Sequence, residues 1–187
     1  MPDQPRIPPL PEEEWDEDTE SLITASWFAD RPTRGQNFFK TFVRHKELFR
    51  VWNDFGRTVF NGRLPDRDRE LLILRVAWLT RCQFEWASHE PLARRVGVTD
   101  QDIEGIMAGP AGPGWNQLEA ALLRAVDELM ADNLIGDATW SVLRDAYDDL
   151  QLIEIPVVVG QYQLVAYFNN TFGVEPAPAL PRLPGTE

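Results

Sequence analysis

From about residue 18 to residue 174, apolar side chains recur every three or four positions, and no two segments show the two-residue alternation of paired strands. This constraint points to an all-α fold. The one β-branched run, Ile153 to Val159, has no second strand to pair with, and a lone strand cannot satisfy its own backbone. Pro156 to Phe172 is therefore read as a buried helix. A chain of 187 residues fits one domain, so the expectation is a single-domain bundle of about seven to nine helices.

Punctuation residues mark the segments. Asp18 and Thr19 can cap a helix running to about Ala29, stopped at the Arg31-Pro32 step. Aromatic faces define Gly35 to His45 and then Leu48 to Phe60, closed by Asn61-Gly62. Pro65 opens a helix whose first acids suit its dipole and which, apolar on most sides to Leu79, is expected at the centre. Cys82 to Val96 follows, then a short helix over Asp102 to Met107 capped by Thr99. The Gly-Pro loop 109–114 separates these from Trp115 to Met130, stopped near Asn133, and Asp137 to Leu150. Residues 1–17 read as an extended, acidic, proline-rich arm, 18–174 as the helical domain, and 175–187 as a proline-rich tail on the surface.

Charge and cysteine content narrow the function. Eighteen basic residues face 30 acidic ones, net −12, so a nucleic acid or an anionic membrane would be repelled. Most of that excess lies in residues 1–20, which hold eight acids against Arg6 alone. A single cysteine, Cys82, excludes an internal disulfide. No basic-then-apolar leader opens the chain and no apolar run is long enough for a membrane span, so a cytoplasmic location is expected.

Few side chains can do acid–base chemistry near neutrality, since there are only two histidines. In RCQFEWASHEPLARRVG, Cys82, Glu85 and His89 fall at i, i+3 and i+7, on one helix face. That stripe either faces solvent, where a Glu–His pair stabilises by only ~0.2–0.5 kcal/mol, or lines a pocket. Pro91 frees the Ala87 carbonyl or bends the helix beside it. Glu70 reads either as a helix-dipole or ion-pair group near Arg69 and Arg75, or as a site residue. His45 reads as a packed core residue. Two histidines on separate helices give no metal-binding pattern, and the glycines at 109, 112 and 114 lack the Lys-Ser/Thr of a phosphate loop, so neither metal nor cofactor is expected.

The stretch LPDRDRELLILRVAWLTRCQFEWASHEPLARRVGVTDQDIEGI resembles the signature of the carboxymuconolactone decarboxylase family, which includes the alkylhydroperoxidase D-like proteins. RIPPLPEEEWDEDT, NFFKTFVRHKELFRVWNDFG, LLRAVDEL and GQYQLVAYFNN extend the resemblance over nearly the whole chain. It implies an alkylhydroperoxidase D-like helical fold, homo-oligomeric assembly and a pocket at the signature helix. The peroxidase branch has a glutamate, a Cys-x-x-Cys pair and a histidine in a proton relay, and Glu70, Cys82 with Glu85, and His89 occupy those places here. Because the second cysteine is absent and Glu85 in its place cannot form a disulfide with Cys82, the chain is more similar to the decarboxylase-like branch, whose motif carries Glu-Trp-x-x-His.

The resemblance implies a cofactor-free enzyme acting on a small cyclic or carboxylated substrate. His89 would be the acid/base and Glu85 its orienting partner or a second proton carrier, with Glu70 and Cys82 completing the site. A thiol antioxidant protein using Cys82 alone and a non-catalytic oligomeric ligand binder are the alternatives.

Overall fold

A computed structural model describes residues 4–25, 36–176 and 180–185. Among them are nine α-helices and no strand: α1 (Glu17–Thr24), α2 (Gln36–Phe42), α3 (Lys46–Phe60), α4 (Asp66–Leu79), α5 (Gln83–Arg95), α6 (Asp100–Ala108), α7 (Gln117–Asp132), α8 (Asp137–Ala146) and α9 (Asp149–Phe172).

Helix α4 is the central element that its sequence predicts. Every residue from Arg69 to Ala77 is buried, and α5, α6, α7 and α9 pack around it. One face joins Leu72, Ile73 and Val76 to Leu122, Leu143 and Ile155. Another joins Leu71 and Leu74 to Trp86 and Ile106. A separate aromatic cluster, including Phe38, Phe42, Phe49, Trp52 and Phe84, fills the space between α2, α3, α5 and α9. Side chains of this size each contribute about 1.5–3 kcal/mol when fully buried.

The turn from α4 to α5 sets the site. Cys82 N donates to Ala77 O (3.0 Å) and Arg81 N to Trp78 O (3.2 Å), with Arg81 at φ 54°. This pair of bonds is a Schellman closure, here with arginine in the left-handed position usually given to glycine. The Arg81 guanidinium is held over the Trp78 ring at 4.5 Å and donates to Pro184 O. Three residues, Thr80 to Cys82, thus reverse the chain, and α5 packs antiparallel to α4.

Several expected boundaries shift for identifiable reasons. Helix α1 begins earlier than Asp18/Thr19, because Asp16 is the N-cap and accepts from Thr19 N at 2.8 Å. Its expected stop at Ala29 to Pro32, and the expected start at Gly35, lie outside the described residues. Helix α8 ends at Ala146 rather than Leu150. Helix α9 starts at Asp149, well before Pro156, because Asp148 forms a capping box with Gln151. The bundle tolerates exposed Pro156 inside this helix, at the loss of one hydrogen bond to Leu152 O.

The N-terminal arm is anchored rather than freely solvated. Arg6 N donates to Phe172 O, Leu10 N to Lys40 O, and Glu12 and Asp16 pair with Lys40 and Lys46, each at 2.6 Å. Glu12–Glu14 form a single 3₁₀ turn. Near the other end, Leu183 is buried against the α4–α6 core and its N–H donates to Gln83 Oε1. No helix among the described residues is long and apolar enough to cross a membrane.

Candidate active site

Helix α4 contributes Glu70, and α5 contributes Glu85, Ser88 and His89. The carboxyls and the imidazole are all 2% exposed or less. His89 Nδ1 lies 2.9 Å from Glu70 Oε2, and His89 Nε2 lies 3.8 Å from Glu85 Oε2. The first separation is a hydrogen bond and the second is too long to be one. The orienting partner of His89 is therefore Glu70, across the helix pair, and not Glu85 on its own helix. An ionised Glu70 accepts from Nδ1–H, which leaves the Nε2 lone pair turned toward Glu85.

The stripe on α5 lines a pocket. Its walls are Phe38, Phe39, Trp52, Gly56, Phe84, Tyr162 and Val165, and its polar groups are Glu85, Ser88, His89 and Gln161. The cavity measures 30 Å³. The His89 and Tyr162 rings pack in a T-shape, with centroids 4.9 Å apart and planes at 86°, so the imidazole is fixed by one hydrogen bond and one aromatic contact.

Burial pushes the Glu85 carboxyl well above the usual carboxylate range, and the nearby Glu70 charge pushes it further. The neutral, hydrogen-bond-donating form of Glu85 is thereby favoured over the carboxylate. The Tyr162 hydroxyl is pushed up for the same reasons, burial first and then the Glu85 and Glu70 charges.

A raised carboxyl pKa in the folded state means that the native protein binds a proton more tightly than the unfolded chain does. Stability should be greatest below the usual carboxylate range, where Glu85 is protonated in both states. It should fall as pH rises from there toward the folded-state value, by up to about 1.4 kcal/mol per pH unit. Glu85→Gln is expected to remove this slope and to raise the urea midpoint above pH 7. A variant whose stability tracks the parent at every pH would show Glu85 to be charged in the folded protein.

Glu70 has a different surrounding on its other side. Phe60, Asn61, Asp66, Arg69, Leu92 and Arg95 border a polar groove of 440 Å³ in which Glu70 also takes part. Arg69 lies over the Phe60 ring at 4.7 Å, hydrogen-bonds Asp66 at 2.9 Å and keeps 3.9 Å from Glu70 Oε1. Arg75 is committed elsewhere, to Asp127. The dipole or ion-pair reading of Glu70 thus gives way to a hydrogen-bonded role toward His89.

Cys82 is not among the pocket-lining residues. It is the N-cap of α5, fully buried within the aromatic cluster. Burial raises its thiol pKa strongly, Glu85 adds to the effect, and the helix N–H groups oppose it only in part. A thiolate at neutral pH is not supported. Iodoacetamide should alkylate native Cys82 at least ~100-fold more slowly than the unfolded chain, and peroxide should leave it as a thiol. Rapid native-state labelling would contradict this placement. Among the described residues, no group of three His, Cys, Asp or Glu side chains is arranged to hold a metal ion.

His45 lies far from this site in role: exposed, it caps α3 by accepting from Leu48 N. Ser88, Gln161 and Tyr162 were not singled out by the sequence. Ser88 stands one turn after Glu85 and next to His89, and Gln161, with Gln163, interrupts the apolar stretch from Pro156 to Phe168 of α9, which are the signals the sequence does offer.

Residues 46–128, which hold Glu70, Cys82, Glu85 and His89, match the model of the carboxymuconolactone decarboxylase family. That match takes in the site-bearing segment, and the fold is similar to that of the alkylhydroperoxidase AhpD core. A peroxidase-related protein from Ralstonia eutropha JMP134 with this core is 17% identical, with 92% of this chain covering 93% of that one at TM-score 0.75. A peroxidase-related protein from Silicibacter sp. TM1040 is 16% identical, with 95% and 96% covered and TM-score 0.75. A Cys-to-Ala variant of the debrominase Bmp8, in complex with 2,3,4-tribromopyrrole, is 12% identical, with 96% and 95% covered and TM-score 0.74. None of the curated proteins compared matches the sequence.

Proposed function

We propose that this protein is a small-molecule enzyme of decarboxylase-like character, in which His89 moves a proton to or from a carbon atom next to a carbonyl of a small cyclic substrate. The observation that supports this most directly is the Glu70–His89 hydrogen bond, 2.9 Å and fully buried, with Nε2 left for the pocket. Glu70 holds the imidazole in one tautomer. Glu85, kept neutral by burial, donates toward the carbonyl oxygen as it gains enolate charge. General acid–base catalysis of this kind contributes ~10²–10⁴-fold. Loss of carbon dioxide from a β-keto acid and keto–enol isomerisation both pass through such an enolate, and neither needs a metal or an organic cofactor.

The test is hydrogen exchange. Incubated in D2O with a panel of cyclic ketones, lactones and their carboxylated forms, the protein should place deuterium at the carbon next to the carbonyl of at least one compound, read by mass spectrometry. His89→Gln should abolish the exchange, and Cys82→Ser should keep it. No exchange with any member of the panel would leave a ligand binder rather than an enzyme.

The reading includes self-association. Ile153, Leu164 and Tyr167 on α9 are 61, 47 and 62% exposed, and Val51 and Phe55 on α3 are 70 and 46% exposed. Faces of this kind are covered in stable assemblies. Light scattering is expected to give a dimer or larger species at micromolar concentration, and a clean monomer would remove this part of the proposal.

A further inference from the structure

Two polar side chains in the pocket are unused by the relay. Ser88 is 3% exposed and its Oγ has no hydrogen-bond partner among the described residues. Gln161, on the facing helix α9, is 6% exposed, and its carboxamide makes no hydrogen bond to them either. Both line the same cavity as Glu85 and His89. A buried hydroxyl left unpaired is costly, and the donors of both groups border the space where a substrate would meet His89.

The rest of the lining decides what they would hold. Its walls are aromatic, and no lysine or arginine is among the described lining residues. His89 is paired with Glu70 and Glu85 sits close by, so a carboxylate brought into this space would add an unpaired negative charge in a dry pocket. An uncharged oxygen carries no such cost.

We propose that Ser88 and Gln161 are substrate-binding, specificity-determining residues that hold the neutral carbonyl oxygen of a flat, uncharged ring compound and select against carboxylates. The inference rests on the proton-transfer reading above and narrows it toward isomerisation of a neutral carbonyl compound. The 30 Å³ cavity has room for a carbonyl-sized group, whereas a cavity known to take up benzene measures about 150 Å³. A ring therefore seats by turning wall side chains aside. Trp52 is placed for this: it lines both the inner pocket and a 660 Å³ apolar surface groove with Leu48, Leu164 and Phe168. Its buried indole N–H has no partner among the described residues, so rotation breaks no hydrogen bond.

Three fluorinated probes of one shape separate the possibilities by ¹⁹F NMR titration of the full-length protein at pH 7.5: 4-fluorobenzamide, 4-fluorobenzoate and 4-fluorotoluene. The amide should bind at least roughly tenfold more tightly than the other two. Ser88→Ala and Gln161→Leu should each weaken the amide by roughly five- to tenfold and leave the toluene unchanged. Benzoate binding as tightly as the amide, unaltered amide affinity in both variants, or binding of none of the three would overturn the proposal. The comparison among probes on the parent protein stands even if a variant fails to fold. Amide preference without any deuterium exchange would refute the reaction alone; exchange lost in His89→Gln together with benzoate preference would refute the substrate class alone.

Discussion

Glu70→Gln is expected to slow proton transfer by about 10²-fold or more, nearly as much as His89→Gln, although Glu70 is not among the residues that line the pocket. The reason is the tautomer. The carboxylate accepts from His89 Nδ1–H across 2.9 Å, so Nε2 faces the pocket as a base. A glutamine amide can instead donate to Nδ1, which moves the ring proton to Nε2 and turns the base into a donor. The double variant should lose little beyond the worse single one, because the two residues act as one unit. Glu85→Gln should behave differently: at 3.8 Å from Nε2, its effect should add to that of Glu70→Gln. Rates of substrate deuteration for the four proteins decide the matter, and additive losses from Glu70 and His89 would refute the coupled relay.

Arg75→Met is expected to cost about 3–5 kcal/mol of stability in urea unfolding. Its guanidinium, 6% exposed, makes two parallel bonds to Asp127 on α7 (2.7 and 2.9 Å) and donates to Ile106 O at the end of α6 (2.7 Å). One side chain thus joins three helices and satisfies a terminal carbonyl that has no partner within its own helix. The substitution leaves Asp127 and that carbonyl without their donor. Arg75→Lys should recover little, since an ammonium cannot reproduce the planar fork. A loss under 1 kcal/mol in Arg75→Met would show that water replaces these bonds freely.

Much of this architecture is legible in the sequence because local signals agree with the packing. Pro65 with Asp66 and Asp68 starts α4 where it is expected, Thr99 with Asp102 caps α6, and Asn133 in the left-handed region ends α7. The start of α9 is less legible, since Pro156 imitates a helix opening while the real signal is the Asp148/Gln151 capping box, whose N-cap lies eight residues upstream. In the site, the i, i+4 rule brings Glu85 near His89 but cannot show which carboxyl forms the hydrogen bond. That depends on the Arg81 turn, which brings α5 back along α4 and aligns residues nineteen positions apart. Cys82 shares the motif with His89, yet its position at the helix start directs it into the aromatic core. Ser88 and Gln161 gain meaning only when α9 is laid against α5.

The groove behind Glu70 separates two traffic routes that most compact sites must share. The aromatic pocket lies on the Nε2 side of His89, while the polar groove beside Arg69 and Arg95 touches the carboxyl at its other end. A polar solute entering the groove meets the carboxyl end of the pair, while an apolar compound entering the chamber meets the imidazole. The two ends of one hydrogen bond thus face different chemistry, and what gathers at one end need not displace what sits at the other.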